Sequence, residues 1–63
     1  MRNNTTYKIL VADDEEDIVD IISIYLESEG YEVITASDGF ETLKKAEYES
    51  PHLIILDIMM PKL

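Results

Sequence analysis

Cysteine and tryptophan are absent, and the 63 residues hold only two prolines, two glycines and one histidine. Without cysteine there is no disulfide and no thiolate metal site, a composition that agrees with a reducing compartment and a cytoplasmic location. Long hydrophobic runs are missing too. The longest apolar stretches, Ile9–Ala12 and Leu53–Leu56, fall far short of the roughly 20 residues that cross a bilayer. Met1–Thr6 is polar and lacks the apolar core of a signal peptide. Basic charge is also scarce: five Lys and Arg face fourteen Asp and Glu, for a formal net charge of −9. No Lys or Arg occurs between Ile9 and Leu43, whereas Asp13, Asp14, Glu15, Glu16 and Asp17 are consecutive. Such a surface repels phosphate backbones and anionic lipid, so neither nucleic acid nor membrane is an expected partner of this segment. It attracts divalent cations and basic protein faces.

The chain has room for one domain, and a domain of this size buries only about 60% of its unfolded surface. Residues 1–6 read as a flexible arm. Tyr7–Ala12 is a short apolar run ending in two carboxylates, the pattern of a first strand. From Glu15 to Glu29, Ile18, Ile21, Ile22, Tyr25 and Leu26 recur at helical spacing with acids between them, predicting an amphipathic helix with one buried stripe. Gly30 stands where a left-handed terminator belongs. Tyr31–Ala36 follows as a second strand. Asp38 with Glu41 resembles a capping box opening a second helix through Phe40, Leu43 and Ala46 to about Glu49. Ser50-Pro51 stops it, because proline disfavours helix in the preceding residue. Leu53–Leu56 is a third strand, again delivering an acid, Asp57. Tyr25 and Phe40 read as packing residues, His52 as a solvated strand-start residue, and Lys44, Lys45 and Lys62 as solvated charges.

Strands alternating with helices predict an α/β fold: a βαβαβ fragment of a doubly wound parallel sheet with helices on both faces. The second strand carries Glu32 and suits an edge, while the first and third are continuous aliphatic runs that suit interior positions. Two right-handed crossovers then give the strand order 2-1-3. In that order Leu53–Leu56 is a flat aliphatic edge, a template for further pairing, so the third strand is expected to have another strand beyond it.

Ligands of open α/β sheets bind beyond the carboxyl ends of the strands where the order reverses, here between the first and third strands. Asp13, Asp14 and Asp57 are expected to converge there. Three carboxylates in one small volume repel one another unless a cation or proton intervenes, and hard oxygen donors suit Mg²⁺. Each acid taken singly also has a purely structural explanation: Asp13, Asp14 and Glu16 as caps of the first helix, Asp57 as a turn former.

The runs Lys8–Glu15, Gly30–Val33, Ala36–Gly39 and Pro51–Pro61 together resemble the first half of the receiver domain of bacterial two-component response regulators. The resemblance covers residues 7–63 and implies a truncated receiver domain with a flavodoxin-like fold. By that resemblance Asp57 is the aspartate that accepts a phosphoryl group from a phosphohistidine on a sensor histidine kinase. Asp13 and Asp14 are the pair that binds Mg²⁺, Asp14 directly and Asp13 through water. Asp57 itself and the backbone carbonyl of Met59 complete the protein ligands, and Pro61 shapes the loop. The module is a phosphoacceptor rather than an enzyme. His52 departs from the family, which usually has an aspartate there. The family pattern also continues beyond Leu63 with a Ser/Thr and a Lys that face the phosphoryl group, so the chain is expected to be impaired or inactive alone.

Two other readings compete. A half-domain that self-associates through its third strand is a structural rather than a signalling molecule. A metal-dependent phosphohydrolase of the haloacid-dehalogenase type needs a second aspartate two residues after the first, where this sequence has Glu15. A glycine-rich phosphate loop after the first strand is missing as well.

Overall fold

The computed structural model describes residues 6–56. Three strands and two helices alternate: β1 (Lys8–Ala12), α1 (Glu16–Ser28), β2 (Glu32–Ala36), α2 (Gly39–Glu49) and β3 (Leu53–Leu56). The strands form one parallel sheet in the order β2-β1-β3, as the strand composition predicts. The central strand is the one whose successive residues are buried on both faces. Ile9, Leu10, Val11 and Ala12 are all buried, with Leu10 wholly inaccessible.

Alternation along β1 divides the core in two. Leu10 and Ala12 pack with Ala36, Ile34 and Ala46 on the α2 face. Ile9 and Val11 pack with Val19, Ile22, Leu26, Val33 and Ile55 on the α1 face. The helices therefore lie on opposite faces of the sheet. Burying a side chain such as Leu10 contributes about 1.5–3 kcal/mol, and the two faces share that work through a single strand.

The packed stripes differ from the predicted ones. On α1 the sheet meets Val19, Ile22 and Leu26, whereas Ile21 and Tyr25 are largely exposed and Ile18 is at the border. Apolar residues occupy more than half of the helix circumference, but a sheet surface touches only one line along a helix. On α2 the inward residues are Gly39, Thr42 and Ala46. Phe40 and Leu43 are exposed, and Phe40 instead lies under the Lys44 ammonium, 5.7 Å from the ring centre. The side of α2 that meets the sheet thus carries small residues.

The helix ends follow local chemistry. Gly30 has φ +97°; its N–H donates to Glu27 O (3.0 Å) and that of Tyr31 to Leu26 O (3.2 Å), the two bonds of a Schellman motif. Asp38 accepts the Glu41 N–H at 2.8 Å and so caps α2. Ser50 closes α2 in the left-handed region (φ 48°), its N–H donating to Ala46 O.

His52 is exposed, as expected of a strand-start residue, yet it is not merely solvated. Its N–H donates to Lys8 O (2.8 Å), and its Nδ1 accepts the Lys8 N–H (3.0 Å). The imidazole thereby extends the β1–β3 ladder by one rung. β3 lies at the edge of the described sheet, with Leu53, Ile54 and Leu56 exposed. No described helix is long and apolar enough to cross a membrane.

Candidate functional site

The carboxyl ends of β1 and β3 lie side by side, because the register pairs Ala12 with Leu56. Asp13 and Asp14 follow Ala12, and Asp57 follows Leu56. Asp57 and Met59, both expected at the site, fall outside the described residues. Asp13 is half-buried at the strand end and Asp14 is exposed beside it.

Asp13 is held at two points. Its N–H donates to Ala36 O of β2 at 3.2 Å, and its Oδ1 accepts the Glu15 N–H at 2.9 Å. The second bond turns the chain from β1 into α1. It is not the capping role that the sequence offers for this acid: the N-cap of α1 is Glu15, whose side chain makes no capping bond, and Asp13 holds the N–H of that residue instead. One carboxylate oxygen of Asp13 thus orients the side chain, which leaves the other available.

On the β2 side of Asp13 a cavity of about 320 Å³ opens, lined among others by Glu16, Asp20, Ser37 and Glu41. Glu16 and Asp20 are one helical turn apart on α1 and so share its inner rim. The sequence reading places the site between β1 and β3 and misses this second, β2-side flank. Among the described residues no group of three or more His, Asp or Glu side chains is disposed to hold a metal ion.

Glu41 is the best-anchored acid of this flank. Its Oε1 accepts both the N–H (2.8 Å) and the hydroxyl (2.9 Å) of Ser37, and its Oε2 lies 3.3 Å from the Lys45 ammonium. These contacts, the Ser37 N–H first and its hydroxyl next, hold the Glu41 carboxyl below the usual carboxylate range. A regular capping box turns the glutamate back to the N-cap N–H. Here it reaches one residue further and grips the end of β2. Lys45, read from the sequence as a solvated charge, also donates to Thr35 O at 2.7 Å. Only the Glu41–Lys45 spacing of four residues signals this pair in the sequence.

Comparison with known proteins places this arrangement. The model of the response regulator receiver domain matches residues 9–63. The chain belongs to the receiver domain family. The receiver domain is similar to the alkaline phosphatase synthesis transcriptional regulatory protein PhoP of Bacillus subtilis, with 66% identity over 56 residues, 89% of this chain and 23% of that regulator. Response regulator RR06 of Streptococcus pneumoniae is 54% identical over 54 residues, 86% of this chain and 25% of that protein. Among solved structures, chemotaxis response regulator CheY4 of Vibrio cholerae superposes with a TM-score of 0.90 at 42% identity, covering 94% of this chain and 49% of that one. The chain thus spans about a quarter of the length of these sequence relatives, and its order β2-β1-β3 accords with the CheY-like fold.

Proposed function

We propose that this chain is the phosphoryl-accepting part of a two-component response regulator and works in the cytoplasm. Asp57 is the acceptor and a sensor histidine kinase the donor. The observation that carries the reading is the pairing of Ala12 with Leu56, which brings the chain out of β1 and β3 at one end of the sheet, with Asp13 and Asp14 after one strand and Asp57 after the other.

An Asp57 carboxylate oxygen attacks the phosphorus of the phosphohistidine. The P–N bond breaks, the imidazole nitrogen keeps the electron pair and takes up a proton, and an acyl phosphate forms on the aspartate. Asp13, Asp14, Asp57 and the carbonyl of Met59 are the groups proposed to hold Mg²⁺. The hardness of carboxylate and carbonyl oxygens fits that ion, and the Glu15 N–H on Asp13 Oδ1 fixes one donor in advance. When bound, Mg²⁺ supplies positive charge against the phosphoryl oxygens and keeps them in line with the acceptor. The site works by position and charge, so the protein needs no acid or base of shifted pKa in it.

The test is the intact mass of the chain after incubation with Mg²⁺ and a small phosphoryl donor, beside Asp57→Asn. One phosphate that requires both Mg²⁺ and Asp57 is expected. An adduct that survives in Asp57→Asn, or that forms equally well in a chelator, overturns the reading.

A second reading rests on the exposure of Leu53, Ile54 and Leu56 at the sheet edge. By itself the 63-residue chain self-associates through β3, burying apolar surface that a monomer leaves in water. A dimer or larger species by solution mass is expected, and a cooperatively unfolding monomer refutes it.

A further inference from the structure

Three consecutive residues at the end of β2 are gripped from outside the strand. Thr35 O accepts from Lys45 Nζ at 2.7 Å, Ala36 O accepts the Asp13 N–H at 3.2 Å, and the Ser37 N–H and hydroxyl both donate to Glu41 Oε1. The middle contact is the one that fixes the backbone of Asp13. The two outer contacts converge on the Glu41–Lys45 ion pair of α2. A path of hydrogen bonds thus runs from that pair through the β2–α2 turn to the residue at the end of β1.

We propose that Glu41, with Lys45 as its partner, is a positioning residue for Asp13: it clamps the β2–α2 turn and so sets the carbonyl on which Asp13 is hung. The assignment of Asp13 as a cation ligand rests on the function proposed above; the clamp itself does not. The helix does not need this carboxylate for its own start. Asp38 already caps α2, and Thr42 donates both its N–H (2.9 Å) and its hydroxyl (2.7 Å) to Asp38 O. Glu41 instead reaches past the N-cap to Ser37, in the strand exit, and its side chain stands at the rim of the cavity that Asp13 also lines. Its charge is offset by Lys45, whose ammonium lies 3.3 Å from the other carboxylate oxygen. The carboxylate is therefore held as a fixed acceptor for Ser37 rather than as a free ligand.

Turn and strand end are coupled through one backbone bond, so loosening the turn releases Asp13 without unravelling β1. Ile9 and Val11 sit in the same strand, buried by other elements, and serve as internal references. In Glu41→Ala, amide hydrogen exchange at Asp13 is expected to rise about tenfold, as follows when one hydrogen-bonded anchor of a local opening is removed. Exchange at Ile9 and Val11 stays as in the parent chain. Glu41→Gln keeps a carbonyl oxygen for the Ser37 N–H and restores most of the protection. Lys45→Met, which spares the cap and the turn residues, moves Asp13 exchange in the same direction by a smaller factor. That variant decides the matter if Glu41→Ala does not fold.

An unchanged Asp13 amide in these variants overturns the proposal. So does an acceleration shared equally by Ile9, Val11 and Asp13, which marks a general loss of stability. A second measurement follows the Asp13 and Asp14 amide shifts during Mg²⁺ titration, where Glu41→Ala is expected to raise the half-saturating concentration several-fold. If the parent chain gives no Mg²⁺ response, the cation reading of the acidic site fails, and the exchange data still decide whether Glu41 holds Asp13.

Discussion

Replacing Gly30 by alanine isolates a purely conformational cost. The residue sits at φ +97°, and a Cβ built there meets nothing within 4 Å, so no steric clash with neighbours contributes. An L-residue forced into left-handed backbone loses roughly 1–2 kcal/mol. Alanine returns about 0.4–1 kcal/mol by restricting the unfolded chain. The net expectation is a destabilisation of about 1 kcal/mol, which for a domain of this size lowers the melting midpoint by roughly 4–8 °C. The conformation cannot relax without breaking the bonds from Gly30 N to Glu27 O and from Tyr31 N to Leu26 O, which close the end of α1. Urea unfolding followed by circular dichroism reads the effect as a lower midpoint at unchanged slope. Gly30→Asn, which tolerates positive φ better, is expected to lie between the two. A neutral Gly30→Ala, or an asparagine variant as damaging as the alanine one, refutes the backbone account.

Leu10→Ala removes the most deeply buried large side chain of the central strand and is expected to cost about 2–5 kcal/mol, enough to abolish the cooperative transition; retention of a steep transition near the parent midpoint contradicts the core assignment. Ser23 has a buried hydroxyl without a hydrogen-bond partner among the described residues, so Ser23→Ala is expected to raise stability by about 1 kcal/mol, and a loss in the same urea assay refutes that. The Glu41 carboxyl lies below its ordinary range, so its contribution to stability is complete above the ordinary glutamate value of about 4.3 and is lost as the pH falls through the lower folded value. Stability measured from neutral to acid pH should therefore show a component that Glu41→Gln lacks, and identical profiles for the two chains reject it.

Punctuation and hydrophobic pattern carried most of the architecture. Gly30, the Asp38–Glu41 cap and Ser50-Pro51 are local signals, decided by backbone sterics within a few residues, and each marks an observed helix boundary. The contrast between the aliphatic run Ile9–Ala12 of β1 and the partly polar β2, which carries Glu32 and Thr35, foretells that β1 is central and β2 an edge, because a strand covered on both faces favours aliphatic residues at successive positions. The acids after β1 are equally legible, since strand ends are where a parallel sheet gathers its loops.

Tertiary structure decided what periodicity leaves open. Ile18, Ile21 and Tyr25 share helical spacing with Ile22 and Leu26, yet the sheet takes the line through Val19 because a flat surface touches only one side of a helix. Phe40 and Leu43 are passed over for Thr42 and Ala46, since the crossover, not the apolar count, sets which side of α2 meets the sheet. His52 becomes a rung of the sheet only because parallel pairing sets it against Lys8, 44 residues away in sequence. Likewise, the hold of Glu41 and Lys45 on β2, and through Ala36 on Asp13, requires the crossover that lays α2 beside the strand it follows. The sequence alone determined which residues are acids at strand ends and where helices start and stop, because those depend on near neighbours. Which side chains those acids meet was left to the sheet, whose register joins residues that no local rule connects.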